Sequence, residues 1–168
     1  MSDATVAIPT VSSEVELSSV QEEKALRQLR SLSGGQARVV SSIVGDDFET
    51  KTKVAGAVQD AEPLRDHLGK TIELEHYVAQ VVEIKDTDND GREIVDPNTG
   101  EIKTLTAVRI ILVAKDGKTY ASISTGIGKA LDNLIGIIGQ PSTWPKPVKV
   151  KAVEQGPAMR RYLTLKFA

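Results

Sequence analysis

TIELEHYVAQVVEIK, residues 71–85, is the longest strand-like run in the chain. Ile72, Leu74, Val78, Val82 and Ile84 fall on alternate positions, which predicts one shared face of a long β-strand. Gly69 delivers the chain into it. Downstream, Thr104–Ala114 is a second apolar, β-branched run. The turn Lys115-Asp116-Gly117-Lys118 leads to a third strand, Thr119–Ser124. Ile127, Leu131, Leu134, Ile135 and Ile138 then fall on one face of a predicted helix, Ile127–Ile138. Gly139 caps it, and Pro141 prevents its continuation. Two further strands follow, Val148–Val153 and Arg160–Phe167, with Pro157 in the turn between them. In the last strand Leu163, Leu165 and Phe167 alternate with Tyr162, Thr164 and Lys166. The long polar segment Asp86–Lys103 carries a strong turn signal, Asp96-Pro97-Asn98-Thr99-Gly100. Glu93-Ile94-Val95 and Ile102-Lys103 are expected to pair across it as a projecting hairpin.

Five strands with a helix between the third and fourth is the element order of a small, partly open barrel, the OB-fold. The expected class is therefore mainly β (α+β), with a five-stranded OB-fold barrel over residues 69–168 preceded by N-terminal helices. Residues 1–17 lack helical periodicity and turn chemistry and read as a flexible tail. Residues 18–68 read as a helical attachment. Ser19 and Glu22 form a capping box, and Ala25, Leu26, Leu29 and Leu32 make a narrow apolar stripe that Gly34-Gly35 ends. Arg38–Val44 is a strand or an extended linker. Gly45-Asp46-Asp47 opens a second helix whose apolar residues are Phe48, Val54, Ala55, Val58 and Ala61. Pro63 suits the first turn of another short helix.

A chain of 168 residues suffices for one domain with a core, plus a tail. It has no cysteine, so disulfides and thiolate metal sites are excluded. The N-terminal residues lack the basic and apolar regions of a secretory signal, and no apolar run reaches membrane-spanning length. The expected compartment is the cytoplasm. Net charge is −2, but it is unevenly spread. From Glu101 onward eleven Lys/Arg face four acids, giving +7, so residues 1–100 carry −9. Such asymmetry suits a polyanion partner, and it also suits ordinary solvated lysines on outward strand faces.

Two motif-like stretches fail on their spacing. Asp86-Thr87-Asp88-Asn89-Asp90-Gly91 opens like a calcium loop, but Pro97 stands where the bidentate Glu belongs and the flanks read as strands. Thr125-Gly126-Ile127-Gly128-Lys129-Ala130 resembles a phosphate loop, but Ile123 replaces its first Gly and Ala130 its Ser or Thr. Neither a metal nor a cofactor is expected. The two histidines, His67 and His76, form no catalytic or two-ligand pattern, so no enzyme is expected.

What remains is the mixture of cations and aromatic rings that single-stranded nucleic acid requires: charge to neutralise phosphate, and flat faces for bases. The candidates are Tyr77, Arg109, Lys115, Lys118, Tyr120, Trp144, Lys146, Lys149, Lys151, Arg160, Arg161, Tyr162 and Lys166. Tyr and Trp are as often half-buried core as stacking platforms, so each ring has both readings. The expected path crosses the second and third strands, between the hairpin around Pro97 and the loop around Trp144.

Asp46-Asp47-Phe48-Glu49-Thr50-Lys51, Leu68-Gly69-Lys70-Thr71-Ile72 and Lys115-Asp116-Gly117-Lys118-Thr119-Tyr120 resemble bacteriophage and mobile-element single-stranded-DNA-binding proteins. So do Trp144-Pro145-Lys146-Pro147-Val148-Lys149-Val150 and Tyr162-Leu163-Thr164-Leu165. The resemblance covers residues 43–168. It implies an OB-fold, coating of single-stranded DNA during phage replication, and no catalysis. The expected function is single-stranded DNA binding with low sequence specificity during phage or mobile-element replication, without a cofactor. Many such proteins end in an acidic recruiting tail, whereas this chain ends in Lys166-Phe167-Ala168. If replication proteins are recruited, the N-terminal tail is the expected hook. Two alternatives stay open: an interaction scaffold of a phage particle or replication complex, and a single-stranded RNA binder.

Overall fold

The computed structural model describes residues 20–29 and 38–168. The expected tail 1–17, the Ser19 cap and the Gly34-Gly35 stop lie outside the described residues. Residues 20–29 are helical (α1), with Ala25 and Leu29 buried. Seven strands follow: β1 (Val39–Ser41), β2 (Glu62–Pro63), β3 (Thr71–Lys85), β4 (Thr104–Ala114), β5 (Thr119–Ser122), β6 (Val148–Gln155) and β7 (Tyr162–Phe167). Helix α2 spans Phe48–Gln59, and α3, between β5 and β6, spans Thr125–Ile138. The protein is mainly β. Its sheet curls into a half-barrel in the order β2-β5-β4-β3-β6-β7, with β1 added to β3.

Seven strands replace the expected five because residues 18–68 contribute two, one of them inside the Arg38–Val44 run expected as a strand or an extended linker. The β-branched run at Val39–Ser41 pairs antiparallel with Ser41 opposite Val78. Glu62–Pro63 pairs in parallel with Tyr120–Ala121. Proline fits there because this strand ends one edge of the sheet, where it need not donate to a ladder.

Strand β3 is the spine. It pairs with β4 along most of its length, with β6 at Thr71–Leu74 and with β1 near Val78. A bulge separates the pairs Leu74–Ala114 and His76–Val113, leaving Glu75 as the extra residue. Because side chains alternate, one extra residue exchanges the two faces. Ile72 and Leu74 before the bulge, and Tyr77 and Ala79 after it, all enter the main core. The expected single face of Ile72, Leu74, Val78, Val82 and Ile84 is thus split. Val78 lies on the opposite face in a second cluster with Ile111 and Val113.

The inner face is covered, and so is the outer face around Val78, Ile111 and Val113. Ile127, Leu131, Leu134 and Ile135 of α3 fill the main core with the inner residues of β3, β4, β6 and β7. Ile138, expected on that stripe, is 43% exposed at the last turn. Gly139 then reverses the chain at φ 83°, a conformation glycine adopts without strain. At the other end of α3, a Cβ on Gly126 would strike the carbonyl oxygen of Leu163, so glycine permits the close approach to β7. On the outer face, α2 lays Val54, Ala57 and Val58 over the second cluster. Asp47 caps α2, accepting from the Thr50 amide at 3.1 Å and the Thr50 hydroxyl at 2.6 Å. Phe48 points away from the sheet, 85% exposed, and is not part of the helix's packed face.

The expected hairpin between β3 and β4 is present. Val95 bridges Ile102, and the Lys103 amide donates to the Ile94 carbonyl at 2.8 Å. Asp88, in the calcium-like stretch, turns inward and accepts from the amides of Asp90 and Arg92 at 2.9 Å. Its carboxylate closes its own turn.

Candidate nucleic-acid interface

The two ends of the curled sheet, β2 and β7, face one another across an opening. Among the described residues no ladder joins β7 to β5 or β2. A single side-chain bond crosses near this point, from the Ser124 hydroxyl to the Leu163 carbonyl at 3.0 Å. The opening is a groove of about 660 Å³. Arg65, Arg109, Arg161 and Tyr162 supply its chemistry, and Ala121, Ser122 and Ile123 its floor and wall.

Each cation reaches it from a different element. Arg65 lies in the 3₁₀ turn Leu64–His67, just after β2. Arg109 projects from β4, and its Nη1 donates to the Val58 carbonyl at 3.2 Å, which fixes the guanidinium beside the end of α2. Arg161 immediately precedes β7 and meets Glu154 at 3.5 Å with 62% of its side chain exposed, so this ion pair is weak and screened. Tyr162 is 47% exposed. Its ring edge is held near Gly126 and Gly156, where side chains would crowd it. A half-exposed ring in a groove that three arginines also line offers a base a stacking face and phosphate bidentate donors.

A second concavity, about 890 Å³, lies at the other end of β6–β7. It gathers Lys115, Trp144, Lys146 and Lys149. Trp144 is half-buried, packs against the core, and donates from Nε1 to the Gly139 carbonyl at 2.9 Å. Its rigid ring forms part of the wall. Lys151 sits on the exposed side of β6, opposite Lys166 of β7.

The other candidates go elsewhere. Tyr77 is 1% exposed in the core, donating from its hydroxyl to Gln140 Oε1 at 3.1 Å. Burial raises its phenol pKa above the ordinary value. Tyr120 is also 1% exposed. Its hydroxyl accepts from Lys70 Nζ at 2.9 Å, and the His67 ring packs edge-on at 4.9 Å. That hydrogen bond raises the Lys70 pKa. Neither tyrosine ring is presented to a base, because both fill the inner face of a half-barrel that α3 closes. Lys118 and Arg160 are exposed in turns and line neither concavity. On the outer face, the expected path across β4 and β5 meets α2, which packs over Ile111 and Val113.

Arg65 was not among the sequence candidates. It stands between Leu64 and Asp66 with no aromatic neighbour in sequence, and the pairing of β2 with β5 is what brings it to the groove.

Among the described residues, no group of three or more His, Cys, Asp or Glu is placed to hold a metal ion. No helix among them is long and apolar enough to cross a membrane. The family model described as phage single-stranded DNA-binding protein, of the phi29 type, matches residues 33–168. No curated protein matches the chain, and neither does any solved structure.

Proposed function

Because this chain belongs to the phi29-type family of phage single-stranded DNA-binding proteins, we propose that it coats single-stranded DNA during phage or mobile-element replication, with low sequence preference. The family carries DNA binding itself; the replication role and the low specificity are our reading. On this reading β3–β7 correspond to the five strands of an OB-fold, and the opening between the sheet ends is its groove. The observation that carries it is that Arg65, Arg109, Arg161 and the half-exposed Tyr162 line one groove.

Guanidinium groups grip phosphate in any sequence, and a tyrosine face accepts any base. Ser122, Ser124 and Thr125 also line the groove, and a hydroxyl that both donates and accepts discriminates poorly between base edges. Such a site holds the backbone and leaves sequence nearly unread. It needs no catalytic group and no cofactor. The cytoplasm of the host is the compartment where such a substrate is replicated.

The test is a titration of labelled oligo-dT against a duplex of equal length at several salt concentrations. Binding to oligo-dT should weaken steeply as salt rises, and the duplex should compete poorly. Salt-insensitive binding, or preference for duplex, would overturn the proposal. Equal-length oligo-rU in competition separates a DNA binder from an RNA binder.

A further inference from the structure

The outer face of β6–β7 carries a feature that folding alone disfavours. Lys151 and Lys166 stand directly opposite one another across the antiparallel ladder, and both are exposed. Like charges in that relation destabilise a sheet. Neither lysine has an ion-pair partner within 4.0 Å among the described residues, and nor does Lys149, one alternate position further along β6. On β3, Thr71 lies opposite Lys151, so the neighbouring strand brings no acid to that position. Glu73 lies opposite Lys149 without forming an ion pair.

Alternation makes this face continuous with the groove. Tyr162, Thr164 and Lys166 share one side of β7, while Leu163 and Leu165 enter the core. Tyr162 lines the arginine groove at the start of the strand, and Ala168, just past its end, lines the lysine concavity with Lys149 and Trp144. At ~3.4 Å per residue, this stretch spans about 20 Å. A basic groove, a face with opposed unpaired lysines and a basic concavity thus lie in sequence along one two-stranded ribbon.

We propose that single-stranded DNA leaves the arginine groove at Tyr162 and runs along the outer face of β6–β7, over Lys166 and Lys151, to the concavity walled by Trp144. The inference rests on the single-stranded-DNA reading of the groove, and it extends the site from one end of the ribbon to the other. Lys151 and Lys166, side by side across the ribbon, neutralise the phosphates that pass over them, which removes their mutual repulsion when DNA is bound. Trp144 and Lys146 mark the far end of the track.

The experiment uses the full chain and the double variant K151Q/K166Q, with oligo-dT of about six and about twelve nucleotides. The parent should gain affinity with the longer oligomer, and saturation should quench Trp144 emission. In the double variant the loss should grow with oligomer length, the quench should shrink, and the salt slope should flatten by about 1.4, that is ~0.7 for each of two phosphates. With the repulsive pair removed, its melting temperature should equal or exceed that of the parent. A parent that binds neither oligomer removes the groove reading itself. A parent that binds both, beside a variant with the same length dependence, slope and quench, overturns the track alone. A variant that melts below the parent also overturns it, because the lysine pair then serves the fold.

Discussion

Tyr120→Ala should damage the fold far more than it damages DNA binding, although Tyr120 stands beside a lysine-rich turn and looks like a stacking residue. Its ring is 1% exposed within the main core. Truncating a buried aromatic costs about 3–5 kcal/mol through lost transfer energy and the cavity left behind. The edge contact with His67 is part of that loss. The bond from Lys70 adds little, because the Lys70 side chain is solvated and regains water when the hydroxyl is gone. A loss of about 3–5 kcal/mol is a large share of the ~5–15 kcal/mol that holds a domain together. For a chain of this size each kcal/mol lowers the midpoint by about 2–4 °C, so the variant should melt about 6–20 °C below the parent. Circular dichroism melts and urea titration measure this directly. Oligo-dT affinity should then be read at a temperature where both proteins are folded, and it should differ by less than about threefold (~0.6 kcal/mol). Tyr120→Phe keeps the ring and should melt within a few degrees of the parent. A Tyr120→Ala protein of parental stability whose oligo-dT affinity falls tenfold would refute the reasoning, since the ring would then have to leave the core to meet a base.

Tyr162→Ala should show the opposite pattern: a loss of roughly 1–3 kcal/mol in oligo-dT affinity at every salt concentration, with little change in melting; an unchanged affinity would move the stacking site elsewhere. Arg65→Gln should flatten the salt slope by about 0.7 if Arg65 neutralises one phosphate, and an unaltered slope would remove it from the groove's chemistry. Gly126→Ala should destabilise by about 1–3 kcal/mol, because its Cβ meets the Leu163 backbone and α3 must separate from β7; a parental melt would show that the contact is looser than it stands. Burial lowers the His76 pKa below its ordinary 6.5, so the unfolded chain takes up the proton first. Stability should therefore fall as pH drops from about 6.5 toward the folded value, and His76→Gln should flatten that part of the profile in urea titrations at graded pH.

The strands and α3 were legible because each repeats one local signal: alternation for the strands, and a three-and-four spacing ended by Gly139 for α3. The bounds of β3 and β4 agree with the residues expected, and those of β5, β6 and β7 differ by about two residues at an end. The inner face of β3 was not legible. A sheet covered on both sides is apolar on both, so Val78, Val82 and Ile84 continue the alternation of Ile72 and Leu74 across Glu75 as if no bulge were there. The pairing of Glu62–Pro63 with β5 was hidden for another reason. Two residues carry no periodicity, and the contact is made across the fold. Arg65 was lost with it, and the burial of Tyr77 and Tyr120 followed from the inner face rather than from any feature of the residues themselves.

The charge asymmetry gains a direction once the strands are placed. Asp86, Asp88, Asp90, Glu93, Asp96 and Glu101 gather on the hairpin between β3 and β4, against Arg92 and Lys103. Asp46, Asp47, Glu49, Asp60 and Glu62 surround α2, against Lys51 and Lys53. The hairpin acids lie on the part of the molecule that the sequence reading assigns to DNA, and they repel a phosphate backbone there, whereas Asp60 and Glu62 flank Ala61 at the edge of the arginine groove. The basic residues concentrate on β6, β7 and the loop around Lys146. A net charge of −2 is therefore no obstacle to polyanion binding. On the proposed track, the hairpin acids that cancel the lysines in the total help to turn a strand toward the ribbon. The same argument explains why α2 can cover the outer face of β4 and β5 without blocking function. That face is apolar beneath the helix and acidic around it, and the proposed cationic route runs along β6–β7 instead.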